Sequence, residues 1–235
     1  MENVYLALDF PDGATAKNFI TANDLQGVPL KIGMELFYRE GPAIIEYFKS
    51  AGHRIFLDLK LHDIPNTVNR AMKNLAALDI DIVNVHATGG AEMIKAAKDG
   101  LLSGAKANKQ PYLIAVTVLT SFAEKTLQKQ LKVTDSIQNY ATHLAKISKE
   151  SGANGVVCSV HEARHIKDVC GEDFLTITPG IRLKNSAAND QQRIATPQFA
   201  KQNGSSIIVV GRTITQASNP RLAYERVIEE WTMNE

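Results

Sequence analysis

The chain has 235 residues, 44% of them hydrophobic, enough to bury a large core as one α/β barrel or as two smaller domains. Its 26 basic and 25 acidic side chains leave a net charge of +1 with no basic block or stripe, which excludes the usual signature of a nucleic-acid or anionic-membrane partner. No apolar run approaches membrane-spanning length and no basic leader precedes the first strand pattern. Cys158 and Cys170 form neither a C-x-x-C nor a metal-type cluster, so a cytosolic protein with reduced thiols and small-molecule chemistry is expected.

Apolar runs with strand character fall at Val4–Asp9, Leu30–Gly33, Ile55–Lys60, Ile82–His86, Leu113–Leu119, Gly155–Cys158, Leu175–Thr178 and Ile207–Val210. Amphipathic helical segments are expected between and after them, at about Ala14–Asn23, Pro42–Ser50, Pro65–Leu78, Ala91–Leu102, Ser136–Ser151, His161–Val169, Pro197–Asn203 and Pro220–Trp231. Eight strands, each followed by a helix, is the count of a (β/α)8 TIM barrel, and with no linker or low-complexity tract the expectation is one domain over residues 1–235. A doubly wound open sheet alternates in the same way, and periodicity does not separate the two.

The strand ends carry the chemistry, because a barrel enzyme gathers its site at the carboxyl ends of its strands. Asp9 closes the first run ahead of the turn Pro11-Asp12-Gly13, where it reads equally as a helix-capping carboxylate. Lys31 interrupts the apolar strand Leu30-Lys31-Ile32-Gly33; an ammonium buried there needs a carboxylate, and Asp58 is the expected partner. In the third run Ile55, Leu57 and Leu59 alternate with Phe56, Asp58 and Lys60, so a carboxylate and an ammonium share one face about 6–7 Å apart in rise. Pro65 and Thr67 then open a helix, leaving Asp63 on the strand-to-helix loop.

His86, in V-N-V-H-A-T-G-G, fits a core or rim histidine and receives no role. Val118-Leu119-Thr120-Ser121 ends the fifth run with ordinary turn residues. His161-Glu162-Ala163-Arg164-His165 has the spacing of a zinc-protease motif, but Ser159-Val160-His161-Glu162 reads more simply as a capping box that engages Glu162 with backbone. Thr178-Pro179-Gly180-Ile181-Arg182 leads into a polar stretch from Lys184 to Arg193, a candidate lid or plain surface disorder. The last strand ends in Gly211-Arg212, where a barrel enzyme habitually binds phosphate.

The string F-L-D-L-K-L-H-D-I-P-N-T resembles the active-site signature of the orotidine 5'-phosphate decarboxylase family, an apolar pair followed by D-x-K-x-x-D-I/V-P-x-T. Asp58, Lys60, Asp63, Ile64, Pro65 and Thr67 match it, and A-L-D-F, V-L-T-S, P-G-I-R with D-Q-x-R, and V-G-R-x-I are similar to further family segments in matching order. The resemblance implies decarboxylation of orotidine 5'-monophosphate to uridine 5'-monophosphate without metal or organic cofactor, with Lys60 protonating the C6 carbanion beside Asp58, Asp63 and Lys31. It further implies ribose contact by Asp9, pyrimidine contact by Thr120, and ligand contact by Pro179, Arg182, Gln191, Gly211 and Arg212. It also implies a homodimer in which Asp63, Ile64 and Thr67 reach the neighbouring subunit's site.

Two rivals share the barrel. Magnesium-dependent keto-gulonate phosphate decarboxylases also carry D-x-K-x-x-D, but hold the metal partly through a carboxylate on the second strand, where this chain has Lys31. A catalytically silent nucleotide-binding barrel is the other, and the complete Asp58, Lys60, Asp63 set argues against it.

Overall fold

A computed structural model describes residues 3–106, 110–184 and 195–233. Among these, eight parallel strands close into one barrel in sequence order: β1 (Val4–Ala7), β2 (Leu30–Gly33), β3 (Ile55–Leu61), β4 (Ile82–His86), β5 (Tyr112–Val116), β6 (Gly155–Val157), β7 (Leu175–Thr178) and β8 (Ile207–Val210). β1 pairs with β8 through Val4↔Ile208 and Tyr5↔Val209, which leaves no open edge and decides against the doubly wound alternative.

The helices are α1 (Gly13–Ala22), α2 (Met34–Glu40), α3 (Pro42–Ser50), α4 (Pro65–Ala76), α5 (Gly90–Gly104), α6 (Glu124–Gln130), α7 (Ile137–Glu150), α8 (Val160–Cys170), α9 (Pro197–Gln202), α10 (Arg212–Thr215) and α11 (Pro220–Thr232). Proline opens α3, α4, α9 and α11, where its missing N–H costs nothing and its fixed φ suits the first turn. Side-chain caps start others: Asp12 accepts from the Thr15 N–H at 2.7 Å, and Asn219 from the Leu222 N–H at 3.0 Å. Glu162 accepts from the Ser159 N–H at 2.8 Å and completes the capping box of α8, so the H-E-x-x-H spacing is occupied by a helix start.

Strand alternation divides the core in two. Tyr5, Phe56, Ile82, Ile114, Ile177 and Ile207 point inward and plug the barrel, while Leu6, Leu30, Leu57, Val83 and Ile208 point outward beneath the helices. α4 and α5 approach so closely that a Cβ on Gly100 or Gly104 would fall 2.2 Å from the carbonyl oxygen of Asn69 or Lys73. That contact anchors α4, and with it the loop that follows β3.

Three departures from the sequence expectation matter for the site. β1 and β5 stop at Ala7 and Val116, short of Asp9 and Leu119, so those residues belong to rim loops. α2, α6 and α10 were not expected; each is seven residues or fewer, shorter than the stretch of about 11 residues over which helical periodicity is read. Most consequentially, β3 does not keep its pleat to the end. Lys60 has φ +52°, and the pairing passes from Leu57↔Val83 to Leu61↔Val85, so Asp58, Leu59 and Lys60 together oppose Asn84 alone.

Candidate active site

At the carboxyl ends of the strands a cavity of about 570 Å³ opens, and its wall includes Asp9, Lys31, Asp58, Lys60, Thr120, Pro179, Arg182, Gly211 and Arg212. These are nine of the residues expected from the sequence. Gln191, with most of the candidate lid, lies outside the described residues. Asp63, Ile64 and Thr67 are exposed on the loop and first turn of α4 and do not line the cavity of their own chain. Ile64 is 67% accessible, and the Asp63 carboxylate accepts from the Ile64 N–H at 2.7 Å.

One side of the cavity is an ordered chain of charge. Lys31 Nζ lies 2.9 Å from Asp9 Oδ1 and 3.4 Å from Asp58 Oδ2, and Lys60 Nζ lies 2.7 Å from Asp58 Oδ1. Asp58 was the expected partner of Lys31, but Asp9 is the nearer one; of the two readings open for Asp9 it is in the site wall, and the cap of α1 is Asp12. Burial opposes the charge of Lys31, yet the Asp58 and Asp9 carboxylates outweigh it and the ammonium titrates above the ordinary lysine value. Burial likewise disfavours the Asp58 carboxylate, but Lys31 and Lys60 outweigh it and hold its carboxyl below the ordinary value. Gly33, opposite Asp58 in the β2–β3 register, leaves room for this network: a Cβ there would sit 3.2 Å from Lys31 Nζ and 3.3 Å from Asp9 Oδ1.

Asn84 completes the network and was not expected. It is fully buried, donates through Nδ2 to Asp58 Oδ1 at 2.6 Å and accepts at Oδ1 from the Lys60 N–H at 2.7 Å. The available signal was an amide at the inward register of an otherwise apolar strand, two residues beyond Ile82. His86 stands farther along β4, its ring centroid 5.7 Å from that of His62; burial, with His62 and Lys60 nearby, pushes its pKa down.

Two arginines, Arg182 and Arg212, also line the cavity. Gly180, at φ +78°, turns the chain after β7, and the backbone N–H of Arg182 donates to Ala195 O while that of Ala195 donates to Gly180 O, pinching the two ends of the long segment together. The Ile181 carbonyl accepts from Arg182 Nη1 at 2.8 Å and from Thr213 Oγ1 at 3.1 Å, which ties this turn to α10. α10 is the short extra helix that often follows the last strand of a phosphate-binding barrel, and Gly211 stands at its amino end. Burial and the neighbouring Arg212 both disfavour the Arg182 charge, so an anion between the two guanidiniums would relieve their repulsion.

Among the described residues no three His, Cys, Asp or Glu side chains gather as metal ligands, and no helix is long and apolar enough to cross a membrane. Near the deep charges, Asp9 and Asp58 are already engaged by the Lys31 ammonium, which would repel a divalent cation.

Comparison with known proteins agrees with this arrangement. Residues 2–227 match the orotidine 5'-phosphate decarboxylase / HUMPS family. Orotidine 5'-phosphate decarboxylases of Bacillus cytotoxicus and Bacillus cereus are each 51% identical over 231 residues, covering 98% of this chain and 97% of theirs. The crystal structure of orotidine 5'-phosphate decarboxylase from Lactobacillus acidophilus superposes with a TM-score of 0.88 at 44% identity, covering 99% of this chain and all of that one. A protein from Geobacillus kaustophilus superposes with a TM-score of 0.87 at 43% identity. A closed barrel with this charge chain on one wall, matched in sequence over almost its whole length, belongs to the orotidine 5'-phosphate decarboxylase / HUMPS family.

Proposed function

We propose that the protein converts orotidine 5'-monophosphate to uridine 5'-monophosphate and carbon dioxide. The observation that carries this reading is the Lys31–Asp58–Lys60 chain at the cavity wall, with two arginines across the opening. The phosphate sits between Arg182 and Arg212 at the amino end of α10, the ribose hydroxyls bond Asp9, and Thr120 faces the pyrimidine.

In the reaction the C6–carboxylate bond breaks, carbon dioxide leaves, and the electron pair remains on C6. Lys60 then transfers a proton from Nζ to that carbon and is reprotonated from solvent. An ammonium fixed where negative charge develops stabilises the transition state more than the ground state, because it needs no reorganisation as the charge appears. Asp58 aims that ammonium. It also lies close to the departing carboxylate, but two unit charges 4 Å apart repel by only about 4 kcal/mol at an effective dielectric of 20, too little for an enzyme-sized acceleration. Cation placement and binding energy from the remote phosphate supply the rest.

The homodimer belongs to this proposal. Asp63, Ile64 and Thr67 are exposed and do not line their own cavity, which leaves them available to a second copy's site. There Asp63 would extend the alternation of Lys31, Asp58 and Lys60 to zero net charge and flank the Lys60 ammonium with a second carboxylate.

The test is loss of orotidine 5'-monophosphate absorbance with purified protein in excess chelator. Chelator-resistant loss supports the reading. Unchanged absorbance overturns it, and chelator-sensitive loss selects the magnesium-dependent relatives instead. A mixture of Lys60→Ala and Asp63→Ala chains tests the dimer: sharing across subunits returns up to about a quarter of wild-type activity per active-site pair, through the heterodimers that keep one intact site.

A further inference from the structure

β3 must do two incompatible things as it reaches the rim. It must keep pairing with β4, and it must turn Lys60 towards the carboxylate two residues before it. The chain resolves this with a bulge in which three residues oppose one, and with a lysine in the left-handed region, which non-glycine residues seldom adopt. A bulged residue loses its ladder partner, so its N–H needs another acceptor. That acceptor is a side chain, the Oδ1 of Asn84, the same residue that faces the bulge.

The amide orientation is fixed by the bonds. The Lys60 N–H can only donate, so Oδ1 must accept it; Nδ2 is then left for Asp58 Oδ1, the oxygen that also receives the Lys60 ammonium. One side chain therefore grips the backbone of the proposed proton donor and the carboxylate that aims it.

We propose that Asn84 is a positioning residue for the reaction, holding the Lys60 backbone in its left-handed turn and the Asp58 carboxylate at a fixed rotation, so that the ammonium meets the reacting carbon. This rests on the decarboxylase reading above and adds to it. Asn84 touches no substrate: it is fully buried and does not line the cavity. The charged and titratable groups around it are Asp58 and Lys60 on β3, Lys31 on β2 acting through Asp58, and His86 on its own strand with His62 beyond.

Asn84→Ala removes both grips, and since a misplacement of about 1 Å can cost about a hundredfold, kcat should fall by about that factor while uridine 5'-monophosphate binds within about threefold of wild type. Asn84→Asp separates the grips. As a carboxylate it still accepts from the Lys60 N–H but repels Asp58; once protonated it can again donate to Asp58 Oδ1. Its kcat relative to wild type should therefore rise as pH falls, whereas the Asn84→Ala ratio stays level. It is also isosteric, and serves if the alanine variant does not fold. A kcat within about threefold of wild type in the Ala variant, or a level ratio in the Asp variant, overturns the proposal.

Hydrogen exchange at the Lys60 amide gives a readout that does not pass through turnover. It should be protected in wild type and Asn84→Asp, and fast in Asn84→Ala. Equal exchange in all three overturns the clamp. A wild type without turnover but with this exchange pattern would sink the decarboxylase reading and leave the clamp standing.

Discussion

A cluster of aspartate and basic side chains stands at each end of β3, and the two behave differently. At its start Asp81 accepts from the Ile55 N–H at 2.7 Å and from Lys49 Nζ at 3.0 Å, with Arg54 Nε at 3.8 Å. The carboxylate there fastens a strand to its neighbours. At the other end Lys31, Asp58 and Lys60 line open space, one lysine is held in a left-handed turn, and an amide is spent on keeping it there. Similar residues make a fastener where every partner is internal. They make a site where the network is left facing a space that a ligand must fill.

That contrast breaks most sharply at Lys60. Lys60→Ala should lower kcat by about 10³-fold, within the range for losing a proton donor, yet still bind uridine 5'-monophosphate, measured by the absorbance assay and by titration calorimetry. A variant that keeps its turnover would erase the distinction between the two ends. Arg212→Ala comes next. Losing one charge-assisted bond, worth about 1.5–3 kcal/mol, should reduce kcat/KM by about 10–100-fold, with much of the loss in substrate affinity. A kcat/KM within about threefold of wild type would mean that the arginine holds no anion.

At the lower end the expected effect is on stability. Asp81→Ala strips the acceptor from the Ile55 N–H and from Lys49, and should cost about 1–3 kcal/mol in urea unfolding while kcat of the folded protein stays near wild type. A large fall in kcat would make both clusters functional.

The smallest effect concerns pH. Asp58 has a depressed pKa, so its stabilising contribution is present above the ordinary carboxyl value and is lost only as pH falls through its lower folded value. Lys31 is raised, so its contribution is complete below the ordinary lysine value and is lost only as pH rises past it. The upper network should thus leave stability level from about pH 5 to 9. His86 is depressed below 6.5, so it favours folding above that value and gives this up as pH falls through its folded value. Thermal melts from pH 7 to 5 should drop less in His86→Asn than in wild type, His53 supplying part of what remains.

Lys31, Asp58, Lys60, Arg182 and Arg212 announce themselves locally, whereas Asp9, Thr120, Pro179 and Gly211 were expected through the family resemblance. A lysine inside Leu30-Lys31-Ile32, a carboxylate and lysine in Asp58-Leu59-Lys60, and arginines after strand ends are costly or conspicuous where they stand. Asn84 could not be assigned this way, since an asparagine in a strand is unremarkable until the residue opposite it is known. α10 was hidden by its length, four residues being less than the two turns over which periodicity can be read.

By itself, then, the sequence determined the alternation of strands and helices, the proline and side-chain starts of the helices, and the identity of the charges at the rim, because all of these follow from local propensity and from the expense of burying a charge. The tertiary structure alone decided that the sheet closes through β1 and β8, that Lys31 meets Asp9 before Asp58, and that β3 breaks its pleat opposite Asn84. Those facts depend on register between strands distant in the chain. A change of one residue in that register would turn every one of these side chains to the other face.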